Sequence, residues 1–273
     1  MSTPTDRGCG MSGLDDARGV LYPDALPTFH RRAVPDGLAH LVRWYWIARW
    51  DLPDGEVSTQ ALLPFPAANL VVQPGGITLS GPTTSASSRH LEGRGWAFGV
   101  LLRAVGLATL GVAPAEIVDA EVPFPGAEQL EAEVARCMEE GDDAAAARVM
   151  SAWWTTAARA PGREAESART ADRLIEMVES DPEIVGVGHL ARRMGMSTRA
   201  LQRLAADHIG LSPLRIIRRY RLQEAALRLR RDRHLTIADV AAELGYADQS
   251  HLAADFRSTL GLAARDYRRQ RHP

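Results

Sequence analysis

The chain has 273 residues, of which 45% are hydrophobic and 24% are charged, values that are ordinary for a folded protein. The longest apolar runs fall far short of the ~20 residues that a membrane-spanning helix needs, and the first thirty residues hold no apolar core of a secretory signal. Two cysteines, Cys9 and Cys137, form neither a disulfide framework nor a cysteine zinc site. We therefore expect a cytoplasmic protein without cofactor or membrane partner.

Charge is distributed unevenly along the chain. All 32 basic residues are arginine, and the formal net charge is −2. Residues 166–273 hold 19 Arg against 14 acids, a balance of +5, which leaves −7 for the first 165 residues. A basic C-terminal third is typical of a region that binds a polyanion, although solvated surface charge would give the same balance.

The N-terminal half is predicted to be rich in β-strands. Residues 1–30 mix Gly, Pro and Asp and are predicted to be a flexible tail. Short strand-like runs follow, "LVRWYWIARW", "ANLVVQ", "GITLSG" and "GWAFGVLLRAV", separated by the turn formers "LPDGE", "QPGG", "GPTTSASS" and "EGRG". This spacing indicates a small β-barrel or sandwich.

Helices are expected after the strands. Residues 127–140 and 142–158 are rich in Ala, Glu and Arg, and Gly141 separates them. They complete a β-rich sensor or dimerisation domain over residues 31–158, in which they either form a dimer surface or pack on the strands. The polar residues 159–170 are predicted to be a linker, and residues 171–273 to be an all-helical domain.

Within that helical domain, one turn-and-helix pattern occurs twice. "GMSTRALQRLAA" and "GYADQSHLAADF" each begin with a turn glycine that follows an alanine by four residues, Gly195 after Ala191 and Gly245 after Ala241. A capped helix follows each turn and ends at a second glycine, and the second turn has one extra residue. A small residue, a turn and a second helix are the parts of a helix-turn-helix, whose second helix enters the DNA major groove. The helix predicted between the copies has ~19 residues, or ~28 Å, close to the ~34 Å between successive major grooves.

The C-terminal third resembles the AraC/XylS family of bacterial transcription regulators. The resemblance rests on "LARRMGMSTRALQRL", "GLSPLRIIRRYRLQEAALRL", "TIADVAAELGYADQSHLAADFR" and the closing "YRR". It implies a module of two helix-turn-helix units on a connecting helix, preceded by a variable domain for effector binding, dimerisation or both. From about His40 to Val122, the runs "YW…W.LP.G", "LP.P.ANLVV", "GPTT" and "EGRGWAFGVLLRAVG" resemble a poorly characterised β-rich domain found in such regulators. The overall expectation is an α+β multidomain protein with double-stranded DNA as its partner.

Candidate DNA-binding residues follow from this assignment. Arg199, Gln202 and Arg203 share one helix face and match the positions that contact DNA in family relatives. Arginine can form two hydrogen bonds with a guanine base, and glutamine can form two with an adenine base. The matching second-helix positions are Gln249, Ser250, Ala253 and Ala254, of which the alanines reach at most a thymine methyl. The further candidates for phosphate contacts are His251, Arg257 and Arg218. The alternative for His251 is packing beside Gln249. Arg218, Arg219 and Arg221 either meet phosphates or pair with acids.

The role of the N-terminal half stays open at this point. Trp44, Trp46, Trp96, Phe98 and Arg103 are candidates for an effector pocket, although ordinary core aromatics would give the same pattern. Strand alternation predicts that Trp44 and Trp46 share one face, opposite Tyr45. The half could equally act through protein contacts, as a homodimer or with RNA polymerase. An enzyme-like domain fused to a DNA reader is the alternative of a different class, but no catalytic motif or metal-ligand spacing supports it. The sequence does not identify the operator or the effector, and it does not show whether the protein activates or represses transcription. Of these two, activation is our expectation.

Overall fold

The computed structural model describes residues 28–62, 65–157, 165–232, 234–260 and 263–265. Residues 1–27 of the predicted tail lie outside the described residues, whereas its last three residues begin the first strand. Half of the predicted linker, residues 159–164, and the closing "YRR" also lie outside them.

The N-terminal half contains two antiparallel sheets, as predicted for a β-rich domain. The strands are β1 (Thr28–Arg32), β2 (Val42–Asp51), β3 (Val57–Leu62), β4 (Asn69–Gln73), β5 (Gly76–Ser80), β6 (Ser87–Glu92), β7 (Arg94–Leu102) and β8 (Glu121–Pro123). The larger sheet has the strand order β1-β2-β7-β4-β5-β8, and the smaller one pairs β3 with β6.

One face of the larger sheet forms the core of this half. Tyr45 and Phe98 are completely buried on it, with ring centroids 5.4 Å apart. Helices α2 (Glu128–Glu139) and α3 (Asp143–Ala157) cover this face, and the Tyr45 hydroxyl lies 2.9 Å from Ser151 Oγ on α3. Packing of these helices on the strands, one of the two arrangements left open by the sequence, is therefore observed; it does not test dimerisation.

The opposite face carries the tryptophans of β2. Because side chains alternate along a strand, Trp44 and Trp46 lie opposite Tyr45, as predicted. Trp46 covers the backbone of Gly99 on β7, where a Cβ atom would lie 1.8 Å from the indole ring. Gly95 seats the ring of Trp50 in the same way, so two glycines of β7 make room for aromatic rings.

Two sequence predictions need correction here. The run "GWAFGVLLRAV" is not strand to its end, because β7 stops at Leu102 and α1 (Ala104–Thr109) follows. The predicted linker is helical from Ala165 onward, where α4 (Ala165–Ser180) begins. Both differences have one cause: α4 packs directly against α1, so that small residues such as Ala168 and Ala171 are buried.

The remaining described chain is helical, as predicted. It contains α5 (Val187–Arg193), α6 (Thr198–Ile209), α7 (Pro213–Arg231), α8 (Ile237–Glu243) and α9 (Gln249–Leu260). Two separate hydrophobic cores divide it. Ile216, Ile217 and Tyr220 of α7 belong to the first core, with α4 to α6, and Leu222 and Leu229 belong to the second, with α8 and α9. No helix in the described part of the chain is long and apolar enough to cross a membrane.

Candidate nucleic-acid interface

The two copies of the sequence motif have the same backbone turn. In the first, the N–H of Met196 donates to the carbonyl oxygen of Ala191 at 2.9 Å; in the second, the N–H of Tyr246 donates to that of Ala241 at 2.8 Å. The glycine before each donor has a φ in the left-handed region, 64° at Gly195 and 68° at Gly245. The repeat seen in the sequence is therefore a repeat of structure.

The first turn presents helix α6 with its polar face outward. Ser197 caps the helix, its hydroxyl accepting from the N–H of Ala200 at 3.2 Å. Leu201 and Ala205 are completely buried against the first core. The residues on the opposite face, Arg199, Gln202 and Arg203, are all exposed. The structure thus brings the three predicted contact residues together on one accessible surface.

The second turn presents α9 in the same way. The Asp248 carboxylate accepts from the N–H of His251 at 2.8 Å, and Leu252 and Phe256 are completely buried. The four candidate positions Gln249, Ser250, Ala254 and Arg257 are exposed, whereas Ala253 is half-buried. The exposed surface of α9 is therefore less cationic than that of α6.

His251 has a packing contact in addition to its exposure. Its ring meets the ring of Tyr246 edge to face, with centroids 5.2 Å apart. This is the packing role that the sequence left open, although its partner is Tyr246 and not Gln249. A phosphate contact from the remaining exposed edge stays a prediction.

Helix α7 holds the two units together. Ser212 caps it, Pro213 occupies its first turn, and its 19 residues span ~28 Å. Arg218 is exposed on this helix. Arg219 and Arg221, however, are buried, and neither has a described acidic partner. The two alternatives predicted for them, phosphate contact or acid pairing, are both wrong, because α7 is enclosed along most of its surface.

The N-terminal half contacts the first unit without covering the polar face of α6. The C-terminal end of α6 packs on the 3-10 helix Pro114–Glu116, far along the helix from Arg199. Two ion pairs join α4 to the β-rich half: Arg43 to Glu179, and Arg103 to Glu176 at 2.5 Å. The Arg43 guanidinium also donates to the Tyr220 hydroxyl at 3.4 Å. Ion pairs thus connect the β-rich half to α4, which packs with α5 to α7 in the first hydrophobic core.

A carboxylate from α4 also caps a helix of the other half. Asp172 Oδ1 accepts from the N–H of Ala104 at 2.8 Å, and its Oδ2 accepts from Val105 at 3.3 Å. Burial raises the pKa of Asp172 to about 6, although these two hydrogen bonds act in the opposite direction. Sequence analysis missed this contact, because nothing local links residues 68 positions apart.

The five candidates for an effector pocket do not share one site. Trp96 and Phe98 lie in the core beneath α2 and α3, whereas Trp44 and Trp46 lie on the other face of the sheet. Arg103 is occupied by Glu176 and by the carbonyl oxygen of Ala39. The alternative that some of these are core aromatics is therefore correct for Trp96 and Phe98. Trp44 and Trp46 remain candidates.

No group of three or more His, Cys, Asp or Glu side chains with metal-binding geometry occurs among the residues that the structure describes. His30, His40 and His90 are each exposed at separate places. His30 lies 3.2 Å from Asp143, and His90 lies 3.0 Å from Thr59 Oγ1. These histidines therefore form no common centre.

The fold and the repeated turn define a protein with two helix-turn-helix units. Residues 190–270 match a family model described as a helix-turn-helix domain, and residues 23–123 match one described as a domain of unknown function, DUF6597. The C-terminal part of the chain is a helix-turn-helix domain of the AraC/XylS family, as the sequence resemblance implied. The β-rich part belongs to a poorly characterised family.

Curated relatives match only over this C-terminal part. The HTH-type transcriptional activator RhaS of Pectobacterium carotovorum subsp. carotovorum is 34% identical over 88 residues, which are 32% of this chain and 31% of the relative. RhaS of Salmonella arizonae is 33% identical over 82 residues, 30% of this chain and 29% of the relative. The match thus spans about a third of the length of these relatives.

Solved structures show distant similarity. A transcriptional regulator from Chromobacterium violaceum with an AraC-type DNA-binding domain is 23% identical over 40% of this chain and 96% of its own, with a TM-score of 0.36. ToxT from Vibrio cholerae O395 is 11% identical over 83% of this chain and 96% of its own, with a TM-score of 0.45.

Proposed function

We propose that the protein is a sequence-specific, double-stranded-DNA-binding transcription regulator that acts in the cytoplasm. One observation carries the proposal: two turns with the same hydrogen bond and the same left-handed glycine present two capped helices, each with its polar candidate residues exposed. If the polar faces of α6 and α9 had been buried, they would have indicated a role in packing instead. The length of α7 is suited to placing these helices in consecutive major grooves on one side of the duplex.

In this proposal the first unit provides most of the base recognition. Arg199 and Arg203 would each grip the O6 and N7 atoms of a guanine with two hydrogen bonds, and Gln202 would pair in the same way with an adenine. Their exposed positions at i, i+3 and i+4 are those that can reach into a groove together. Arg218 on α7 would hold a phosphate and fix the register.

The second unit would mainly orient the protein on the DNA duplex. Gln249 and Ser250 are the side chains of α9 that can read bases, because Ala253 and Ala254 offer only methyl groups. Arg257, with His251, would contact the phosphate backbone. A weaker second unit would allow the protein to tolerate more sequence variation in one half of its operator.

The N-terminal half is proposed to control the DNA-binding units. The charge pairs that join it to α4 support such control, since a change on one side of the junction moves groups on the other. The input is a small-molecule effector in contact with Trp44 and Trp46, or else a protein contact such as a homodimer. Activation through RNA polymerase is proposed because the relatives with matching DNA-binding domains are named as activators. No enzymatic activity is proposed.

The experiment that tests this function is a comparison of two DNA duplexes. Sequences bound by the full-length protein are first selected from a random duplex library. Fluorescence anisotropy at a fixed salt concentration then compares the selected duplex with a scrambled duplex of equal composition. We expect the selected duplex to bind at least ~10³-fold more tightly. Equal affinity for the two duplexes would contradict sequence-specific regulation.

A further inference from the structure

One loop of the β-rich half reaches the second DNA-binding unit. The backbone N–H of Ala86, just before β6, donates to the carbonyl oxygen of Thr259 at 2.8 Å, in the last turn of α9. The last four carbonyl groups of a helix have no partner within that helix, so this bond satisfies one of them from outside. The β-rich half therefore holds the C-terminal end of α9.

The loop before β6 is fixed by the sequence motif "GPTT", residues 81–84. Gly81 lies so close to Ile117 that a Cβ atom on it would be 1.7 Å from the Ile117 carbonyl oxygen, so this position excludes a side chain. Thr84 donates from both its N–H and its hydroxyl group to the Asp119 carboxylate, at 2.6 Å in each case. The motif thus ties the loop to the segment around Asp119.

Asp119 has a backbone conformation that is rare for a residue with a side chain. Its φ is 56°, and among the residues that the structure describes no other non-glycine residue has a positive φ. The left-handed region is unfavourable for residues other than glycine, although aspartate tolerates it better than most. The Asp119 N–H also donates to the Pro82 carbonyl oxygen at 3.0 Å, so the loop stabilises this conformation through both backbone and side chain. The loop and Asp119 therefore form one rigid unit.

The segment that carries Asp119 also contacts the first DNA-binding unit. Gly210 ends α6 with a φ of 78° and lies against two residues of this segment. A Cβ atom on Gly210 would be 2.9 Å from Val118 Cγ2 and 3.2 Å from Pro114. Val118 in turn packs against the first hydrophobic core. Residues 114–119 therefore hold the C-terminal end of α6 directly and that of α9 through the loop.

Direct packing between the two units leaves open space. Their hydrophobic cores are separate, and a cavity of about 200 Å³ is lined by Ile184 and Ile217 of the first core and by Leu244 of the second. Helix α7 contributes to both cores. A connecting helix with a cavity beside it resists rotation of one unit against the other less than a packed interface does. A second connection through the β-rich half would restrict that rotation.

We propose that the β-rich half, through Asp119 and the loop at residues 81–86, fixes the separation and orientation of α9 relative to α6. It thereby determines how many base pairs between the two half-sites the protein accepts. One inserted base pair moves a half-site by ~3.4 Å along the duplex and rotates it by roughly 35° about the axis. Helices held both by α7 and at their C-terminal ends follow that change only if a contact breaks. This inference rests on the proposed function, in which both helices enter the DNA, and deepens it by assigning a determinant of specificity.

The test compares duplexes that differ only in spacing. Full-length protein is titrated by fluorescence anisotropy with the selected duplex and with derivatives that have one base pair inserted or deleted between the half-sites. Asp119→Gly removes the carboxylate that holds Thr84 and suits a positive φ, whereas Thr84→Val removes only the hydroxyl bond. Thr28→Val is the matched control, because it removes a hydroxyl bond to Arg49 on β1, at the opposite edge of the larger sheet from β8.

Tolerance of altered spacing is the quantity that separates the variants. The wild-type protein and Thr28→Val should bind the altered duplexes at least ~10-fold more weakly than the original duplex. Asp119→Gly should reduce this difference to about threefold or less, and Thr84→Val to an intermediate value, because α9 is then free to adjust. Should Asp119→Gly fail to fold, Thr84→Val carries the comparison, since the N–H of Thr84 still bonds Asp119.

The inference is overturned if the wild-type protein tolerates altered spacing, if Asp119→Gly and Thr84→Val discriminate as the wild type does, or if they weaken binding equally at every spacing. Equal wild-type binding of selected and scrambled duplexes would contradict the proposed function itself. Hydrogen–deuterium exchange without DNA provides an independent readout. Asp119→Gly should raise exchange in residues 249–260, and Thr28→Val should not. Unchanged exchange there would also overturn the inference, because the loop would then not hold α9.

Discussion

The carboxylate of Asp172 on α4 accepts a hydrogen bond from the backbone N–H of Ala104, 2.8 Å away, at the first turn of α1. One residue of the helical half therefore caps a helix of the β-rich half. The cap is buried, and burial raises the pKa of Asp172 to about 6 from an ordinary value of 3.8. The contribution of this contact to the stability of the protein is consequently expected to fall as the pH rises through the folded pKa of Asp172.

We predict that Asp172→Asn stabilises the protein at pH 7.5. A group whose pKa is higher in the folded state contributes stability that is complete below its unfolded pKa and is lost as the pH rises through the folded value. The wild-type carboxyl group of Asp172 thus loses its contribution between about pH 4 and pH 6. The amide oxygen of the variant keeps an uncharged acceptor for the N–H of Ala104 at every pH and gives up only the longer bond from Val105. The free energy of unfolding should increase by about 1–3 kcal/mol at pH 7.5 and by much less at pH 4.5.

Urea unfolding at the two pH values measures this difference. Glu166→Gln is the control, because Glu166 is an exposed carboxylate on the same helix. It should show no such gain at pH 7.5, since it loses the ion pair with Arg169. An equal effect of Asp172→Asn at both pH values would show that ionisation of Asp172 is irrelevant to stability.

Arg203→Ala should weaken specific DNA binding. Loss of two hydrogen bonds to a guanine is expected to cost ~1–3 kcal/mol on the selected duplex and to relax the preference at one base position. Anisotropy titrations on selected and scrambled duplexes measure both effects. Arg136→Ala, which removes an exposed arginine from α2, serves as the control and should change neither. An equal loss on the two duplexes would assign Arg203 to a phosphate.

Ala254→Arg should strengthen binding through a new phosphate contact. Ala254 is exposed on α9, where the helix has few cationic side chains. One added contact should steepen the plot of log K against log [salt] by roughly one unit. Gln129→Arg adds the same charge to an exposed position of α2 and should leave the slope nearly unchanged. An unchanged slope for Ala254→Arg would place α9 away from the DNA backbone.

Gly99→Ala should destabilise the β-rich half, because the added methyl group would collide with the ring of Trp46. Overpacking of this kind costs about 1–3 kcal/mol. The double variant Trp46→Ala/Gly99→Ala should be less destabilised than the sum of the two single variants, since the collision is then absent. Strict additivity in thermal or urea unfolding would mean that the two residues do not meet.

The DNA-binding half could be predicted from sequence almost completely because its signals are local. Ser197, Gly210 and Thr236 begin or end helices through contacts within a few residues, and each does so in the structure. The exposed face of α6 follows from helical periodicity in the same way. Such features need no knowledge of the rest of the chain.

The β-rich half and the junction could be predicted only in outline. The sequence showed that Trp44 and Trp46 share a face, but not that Trp96 and Phe98 lie on the other side of the sheet, since that depends on strand register. The burial of Arg219 depends on Phe65, which is distant in the chain, and no periodicity reports it. The sheet face of the two aromatic residues and the burial of Arg219 are determined by packing between residues that are far apart in the sequence.

Methylation and phosphate-ethylation interference on the selected duplex test the central claim most directly. With full-length protein, methylation of guanine N7 or ethylation of backbone phosphates should block binding in two clusters about one helical turn apart on one face of the duplex. Arg203→Ala should remove interference within one cluster only. A single cluster, or two clusters on opposite faces, would contradict two recognition helices held by α7 in consecutive major grooves.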